Sequence, residues 1–418
     1  VTATFRVDPP RGGGQLRCLR LYGAMARSID VEIVCLVDPL HPAGQTALGP
    51  GITQTLVPRS PAHTTIGDEL SNAARMPVTD IVAATDIWAT PAYLAELRRA
   101  AHGASAVLLA EPYLLPAVEQ AGLELPFLYD AFNVEAELKA AALPHNRLGR
   151  ELLAAVIDVE QRAVAGAAVT TACSIEDADA LATRYGRSRA DIVVIPNGTD
   201  TNVAMISQHE RAAAAARWRD HFVLNGTDGR RPGHLALFFA SWHPPNIDAA
   251  ELVISIAPDL PDVLFLLAGS HGEAFRSRVV PRNVVFSGVV ADRAKAALLG
   301  CVDVALNPMR TGSGTNLKLI EYLASGVPAV STPFGVRGLD AINGVHLLIA
   351  TPDRFASAIR TAVEDPAAAH VRAIAGRSLA ADFYDWADLG DRLTAVVGDV
   401  VSGRHRAPVP AAQWIGSP

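Results

Sequence analysis

Residues 310–328, RTGSGTNLKLIEYLASGVP, run a glycine-punctuated loop straight into an apolar, helix-patterned segment that Gly326 and Pro328 close. Gly312, Ser313, Gly314, Thr315 and Asn316 follow the strand-like run VDVALNP at 302–308 and open the helix. Small residues between a strand and a helix let backbone N–H groups and the helix N-terminus converge on one anion. The chain contains no GxxxxGK[ST], so the P-loop version of such a site is excluded. On the helix, Leu317, Ile320, Leu323 and Ala324 form the stripe expected to be buried, while Lys318 and Glu321 share one face. Those two admit two readings. They can form an exposed ion pair worth about 0.3–0.5 kcal/mol. Alternatively the lysine offsets phosphate charge and the carboxylate accepts two hydrogen bonds from a vicinal diol such as a ribose. The adjoining glycine loop favours the second.

Outward from this loop, short β-branched or apolar runs alternate with Ala/Leu/Arg-rich helical segments, which predicts α/β architecture with parallel sheets under helices. The first half offers TATFRV, VEIVCLV, AVLLA, PFLYDAF, AVTTAC and DIVVIP as strands. The second offers LALFFAS, VLFLLAG, VVFSGV, VDVALNP, PAVSTP and HLLIA. Two Rossmann-like domains are expected, over 1–200 and 201–379, with a C-terminal helix at about 380–403 returning to the first and a frayed tail over 404–418. Phe383, Tyr384, Trp386 and Leu389 give that last helix its apolar face. After the first strand, PPRGGGQLRCL places Gly12, Gly13 and Gly14 where a backbone can approach a ligand closely, or where a plain turn suffices.

With 418 residues and half of them hydrophobic, the chain is a folded protein of more than one domain. A net charge of −7 argues against a general nucleic-acid binder. Arg11, Arg17, Arg20 and Arg27 cluster near the first helix, as a solvated face or as a local patch for an anionic substrate or membrane surface. Cys18, Cys35, Cys173 and Cys301 form no CxxC pair, so neither a zinc site nor a disulfide framework is indicated, and a reducing cytoplasm fits. No apolar run reaches the roughly 20 residues that span a bilayer, which leaves membrane association peripheral at most.

The segment 312–338, GSGTNLKLIEYLASGVPAVSTPFGVRG, resembles the donor-sugar loop of family 4 of the retaining glycosyltransferases, which have the GT-B fold. RGGGQLRCLRLYGAMAR, YDAFNVEAEL, IPNGTD, FFASWHPPNIDAAELV, LLAGSHGE and VVFSGVV agree in order. The resemblance implies an N-terminal acceptor domain, a C-terminal domain for a nucleoside diphosphate sugar, and reaction in the cleft between them. Glu321 matches the second acid of the family's E-x7-E pattern, and Ser313 stands where the first acid normally stands. The Arg and Lys that commonly neutralise the diphosphate are missing from the FFASWHPPN region, which leaves Lys318, Arg310 and the helix N-terminus as counter-charge. Phe132 stands where many relatives place a histidine. Implied donor contacts are Gly13, Gly14, Ser241, His243, Asn246, Gly288, Val289 and the 312–316 loop; implied acceptor contacts are Gly12, Arg17, Glu111 and Asn133. His243 can equally be a packed loop residue, and for Asn133 capping of the helix after it is the favoured reading.

Asp303 is an isolated acid in an apolar run, so no metal site is expected. Beyond the donor, no cofactor is expected either. The resemblance therefore implies transfer of a sugar to an acceptor hydroxyl with retention. A GT-B-like epimerase or phosphorylase and a catalytically silent binding subunit are the alternatives.

Overall fold

The computed structural model describes residues 1–203, 206–224, 231–312 and 314–404. Ser313, and nearly all of the tail expected at 404–418, lie outside the described residues. Contacts divide the chain into two units, one of residues 1–196 with the segment from Trp386 onward, the other Asn197–Asp385.

The first unit holds an eight-stranded sheet: β1 (Thr2–Ala3), β2 (Val31–Val37), β3 (Gly44–Gly49), β4 (Ile52–Pro58), β5 (Val107–Leu109), β6 (Phe127–Ala131), β7 (Val169–Ala172) and β8 (Ile192–Val194). Their order is β3-β4-β2-β1-β5-β6-β7-β8, parallel except for the antiparallel edge strand β3. The β3–β4 hairpin goes beyond the six expected strands. β3 is mostly exposed and glycine-bounded, so its sequence lacks the apolar run of a core strand. The expected first strand is shortened to two residues. The N–H of Thr4 donates to the Glu111 carboxylate, and those of Val7 and Asp8 donate to Gln54 Oε1, so residues 4–8 leave the ladder.

The second unit carries β9 (His234–Phe239), β10 (Val263–Ala268), β11 (Val284–Gly288), β12 (Val304–Asn307), β13 (Ala329–Ser331) and β14 (Leu348–Ile349) in the order β11-β10-β9-β12-β13-β14, all parallel. β9 shows why such strands are continuously apolar. Leu235, Leu237 and Phe239 enter the core on one face of the sheet while Ala236 and Phe238 enter the core on the other.

The terminal helix differs from expectation in where it starts. Pro366–Phe383 is one helix of the second unit, Tyr384 is buried in that unit's core, and Phe383 is half exposed. Thr199 and Asp385 form a bridge beside the break, and a new helix, Trp386–Val401, belongs to the first unit. None of the described helices is long and apolar enough to cross a membrane.

Candidate functional site

In open parallel sheets, ligands collect beyond the carboxyl ends of the strands, where the strand order reverses. In the second unit that point lies between β9 and β12. The 310–316 loop follows β12 and feeds the helix Leu317–Ala324. Gly312 and Gly314 have φ of 136° and 61°, a region that favours glycine. Side chains hold the loop from several sides. Asn197, in the IPNGTD stretch, donates to Thr315 Oγ1 at 2.8 Å, and Asn316 donates to the Gly335 carbonyl at 3.0 Å. The Gly335 carbonyl also accepts from Asn307, and Tyr322 Oη accepts the Phe239 N–H at 2.9 Å, tying the helix to the end of β9.

Lys318 and Glu321 do not pair with each other. Lys318 Nζ donates to Asn246 Oδ1 at 2.7 Å, touches Met309 Sδ at 3.5 Å and lies 4.7 Å from the Phe238 ring centroid. No carboxylate among the described residues reaches it, and desolvation lowers its pKa to about 7. Asn246 is itself oriented by its amide donating to the Ser241 carbonyl at 3.0 Å. Glu321 instead pairs with Lys295, from the helix Asp292–Leu299, at 2.5 Å. Arg310 corrects the expectation that it is an available counter-charge. Its guanidinium bridges to Asp248, one turn into the helix Pro244–Ile256, with Nε 2.9 Å from Oδ2.

Two imidazoles border the lysine. His243 is the N-cap residue of Pro244–Ile256; its pKa is lowered by desolvation and then by the charge of Lys318. His271, missed in the sequence, is fully buried after Gly269. Its Nδ1 lies 2.8 Å from the Ala240 carbonyl, and its Nε2 has no partner among the described residues. Desolvation, followed by Lys318, also lowers the pKa of His271, against the opposing pull of the Ala240 carbonyl. Its sequence signal was the glycine closing β10: Gly269 has φ of 123°, and a Cβ there would lie 1.9 Å from the Ala240 carbonyl oxygen. Gly288 also has positive φ (68°), and Val289 after it is exposed. The arrangement brings together a glycine loop, a helix N-terminus and a lysine without a carboxylate partner among the described residues, groups that are chemically able to hold an anion.

In the first unit the strand order reverses between β1 and β5. Thr4 follows one and Glu111 the other, and both the N–H and the hydroxyl of Thr4 donate to the Glu111 carboxylate. Desolvation, with help from Glu135 and Asp80, raises the Glu111 pKa to about 7. Arg17 departs from its expected acceptor role. It is 1% exposed, salt-bridged to Asp130 at 2.7 Å, and donates to the carbonyls of Ile195 and Pro196 at 3.0 and 3.1 Å. Asn133 is not a cap either; Val134 holds that position, and Asn133 donates to Glu135 Oε1 at 3.1 Å. The N–H groups of Glu135 and Ala136 go to Glu160. Gly12 precedes the helix Gly13–Arg17, where its N–H and that of Arg11 donate to Gln15 Oε1. A Cβ at Gly14 would lie 3.2 Å from the Phe132 ring, so any larger residue there would push that ring by a few tenths of an ångström.

Comparison with known proteins finds a family match in each unit. Residues 12–198 match the family described as "Glycosyl transferase 4-like domain", and residues 233–365 match "Glycosyl transferases group 1". Glycogen synthase of Mycobacterium tuberculosis is 28% identical over 253 residues, 57% of this chain and 55% of that protein, so the match spans about half the length of this curated relative. Among solved structures, the sucrose-phosphate synthase of Thermosynechococcus elongatus aligns with a TM-score of 0.67 at 17% identity, covering 96% of this chain and 99% of that one. Anabaena HepE in complex with UDP-glucose aligns at 0.66 and 14% identity, covering 95% and 99%. The two parallel-sheet α/β domains have the GT-B fold.

Proposed function

We propose that this chain, built from a 4-like and a group 1 glycosyl transferase domain in the GT-B fold, moves a sugar from a nucleoside diphosphate sugar to an acceptor hydroxyl with retention of anomeric configuration. The observation that carries the reading is Lys318: a desolvated lysine with no carboxylate partner, beside the glycine loop at the β9/β12 reversal. The diphosphate lies against the N–H groups of 314–316 and Lys318. Glu321 accepts from the ribose hydroxyls through the oxygen that Lys295 leaves free. HepE has been crystallised with UDP and with UDP-glucose, which favours a uridine nucleotide here.

In the transition state the glycosidic bond breaks ahead of acceptor attack, and negative charge builds on the leaving diphosphate. Preorganised donors aimed at that charge are the main source of rate enhancement, and no protein nucleophile is invoked. The departing phosphate oxygen takes the acceptor's proton on the same face of the sugar. Neither a metal nor a cofactor has a step in this scheme.

The test is a nucleotide-sugar panel with product NMR. A new glycoside of unchanged anomeric configuration supports the reading, and inversion removes the retaining assignment. Sugar turnover without any acceptor alcohol would instead identify an epimerase or phosphorylase, and absence of nucleotide-sugar binding a silent subunit.

A further inference from the structure

A second basic site lies in the first unit and shares no residue with those assigned above to the diphosphate. A cavity of about 240 Å³ opens at the carboxyl ends of β1, β2 and β4, lined by Thr4, Arg6, Arg11, Asp38, His41 and Arg59 among others. That volume is below the roughly 300–1,000 Å³ of pockets that enclose a whole drug-sized ligand, so it suits one charged group with little more than a sugar ring.

Three arginines line this small space against one carboxylate residue, Asp38. Asp38 pairs with Arg59 at 3.2 Å, but Arg59 Nε is buried without a partner. Arg6 gives its Nε to the Asp8 carbonyl, and its two terminal nitrogens have no partner among the described residues. The Arg11 guanidinium has none either. Gln15 fixes the loop that carries Arg6 and Arg11, donating to the Arg6 carbonyl at 2.8 Å and accepting from the Arg11 N–H. Like charges held together by a fixed loop repel one another unless an anion joins them, and the guanidinium fork matches phosphoryl oxygens two at a time.

We infer that this cavity binds a phosphoryl group of the acceptor, held by Arg6, Arg11 and Arg59 where Thr4 links it to Glu111. The word acceptor rests on the transferase reading above; the phosphoryl site does not. The phosphate can belong to a soluble sugar phosphate or to a lipid headgroup.

Binding to the whole protein separates these outcomes. Hexose monophosphates and their parent hexoses are titrated calorimetrically against wild type, Arg11→Gln, Arg6→Gln and Lys318→Ala. In parallel, phosphatidylcholine vesicles with and without phosphatidic acid are sedimented with the same proteins. The expected result is tighter binding of a phosphorylated than of a neutral ligand, weakened about tenfold or more by Arg11→Gln, as for a charge-assisted contact, and unchanged by Lys318→Ala. Arg11 is exposed, so its replacement leaves the fold intact. Arginine-dependent binding of hexose phosphates assigns the soluble source, and arginine-dependent binding of phosphatidic acid vesicles the lipid one. Dependence on Lys318 in place of Arg11, or no preference for phosphate in either arm, overturns the inference. Arginine-dependent binding without any glycosyl transfer keeps the phosphoryl site and sinks the transferase reading.

Discussion

Desolvation makes Lys318 costly to keep charged, and a diphosphate beside it would offset that cost, which makes the residue testable. Lys318→Ala should lower turnover by about 100-fold or more, the usual effect of removing one preorganised donor to developing charge. Glu321→Ala should mainly weaken donor binding, because the ribose is unchanged between ground and transition states. Protonation gives an independent readout. With its pKa near 7 in the free protein, Lys318 is largely neutral at pH 8, and a bound diphosphate restores the ammonium. Calorimetry of UDP in buffers of different ionisation heat at pH 8 should therefore show net proton uptake approaching one, lost in Lys318→Ala. The effect on folding has its own sign. The folded pKa is depressed from 10.5, so the unfolded chain binds the proton more readily, and this residue's contribution to stability rises with pH above 7.

At the scale of single elements, the buried polar groups of the first unit explain why some candidate residues were misread. Arg17 in RGGGQLRCLR looks like one of four surface arginines; only the distant Asp130, at the end of β6, shows that it is locked inside. Arg17→Met should leave Asp130 buried without its partner and destabilise this unit by about 3–5 kcal/mol in denaturant unfolding, whereas Asp130→Asn in the same chain should recover much of that loss. Glu111 and Glu160 act on the same unit through pH. Both have pKa values raised to about 7, mainly by desolvation. A raised carboxyl pKa contributes stability at low pH that is lost as pH climbs through 7. Thermal melts from pH 5 to 7 should fall accordingly, and Glu111→Gln should remove on the order of 2 kcal/mol of that decline. The strands of the second sheet were all legible as short apolar runs, and β9, β10, β12 and β13 are buried almost along their whole length. The β3–β4 hairpin was not, because an exposed edge strand needs no such run, and its partner β4 mixes Thr and Gln into the pattern. The loop at 312–316 could be read for the same local reason as the strands. Lys295, His271 and Asp248 were invisible because their roles depend on pairings between helices and loops remote in sequence.

For the molecule as a whole, the chain's last described helix stabilises the unit that was built first. In Trp386–Val401, Trp386, Leu389, Leu393 and Val400 are buried, and a Cβ at Gly390 would lie 2.4 Å from that of Ala24. Arg392 donates to the Val194 carbonyl at the end of β8, and Arg27 reaches both the Ala387 carbonyl and Asp391. Ending the chain at Asp385 removes this contact surface without touching any buried residue of the second unit. Hydrogen exchange on the shortened chain should show lost protection in β1, β2 and the helical residues 18–25, while β9–β14 keep theirs. Leu393→Ala, which removes one fully buried side chain and nothing else, should destabilise the first unit by about 2–5 kcal/mol. Equal loss of protection in both sheets would mean that the two units unfold as one and that this helix's contribution is not confined to the first.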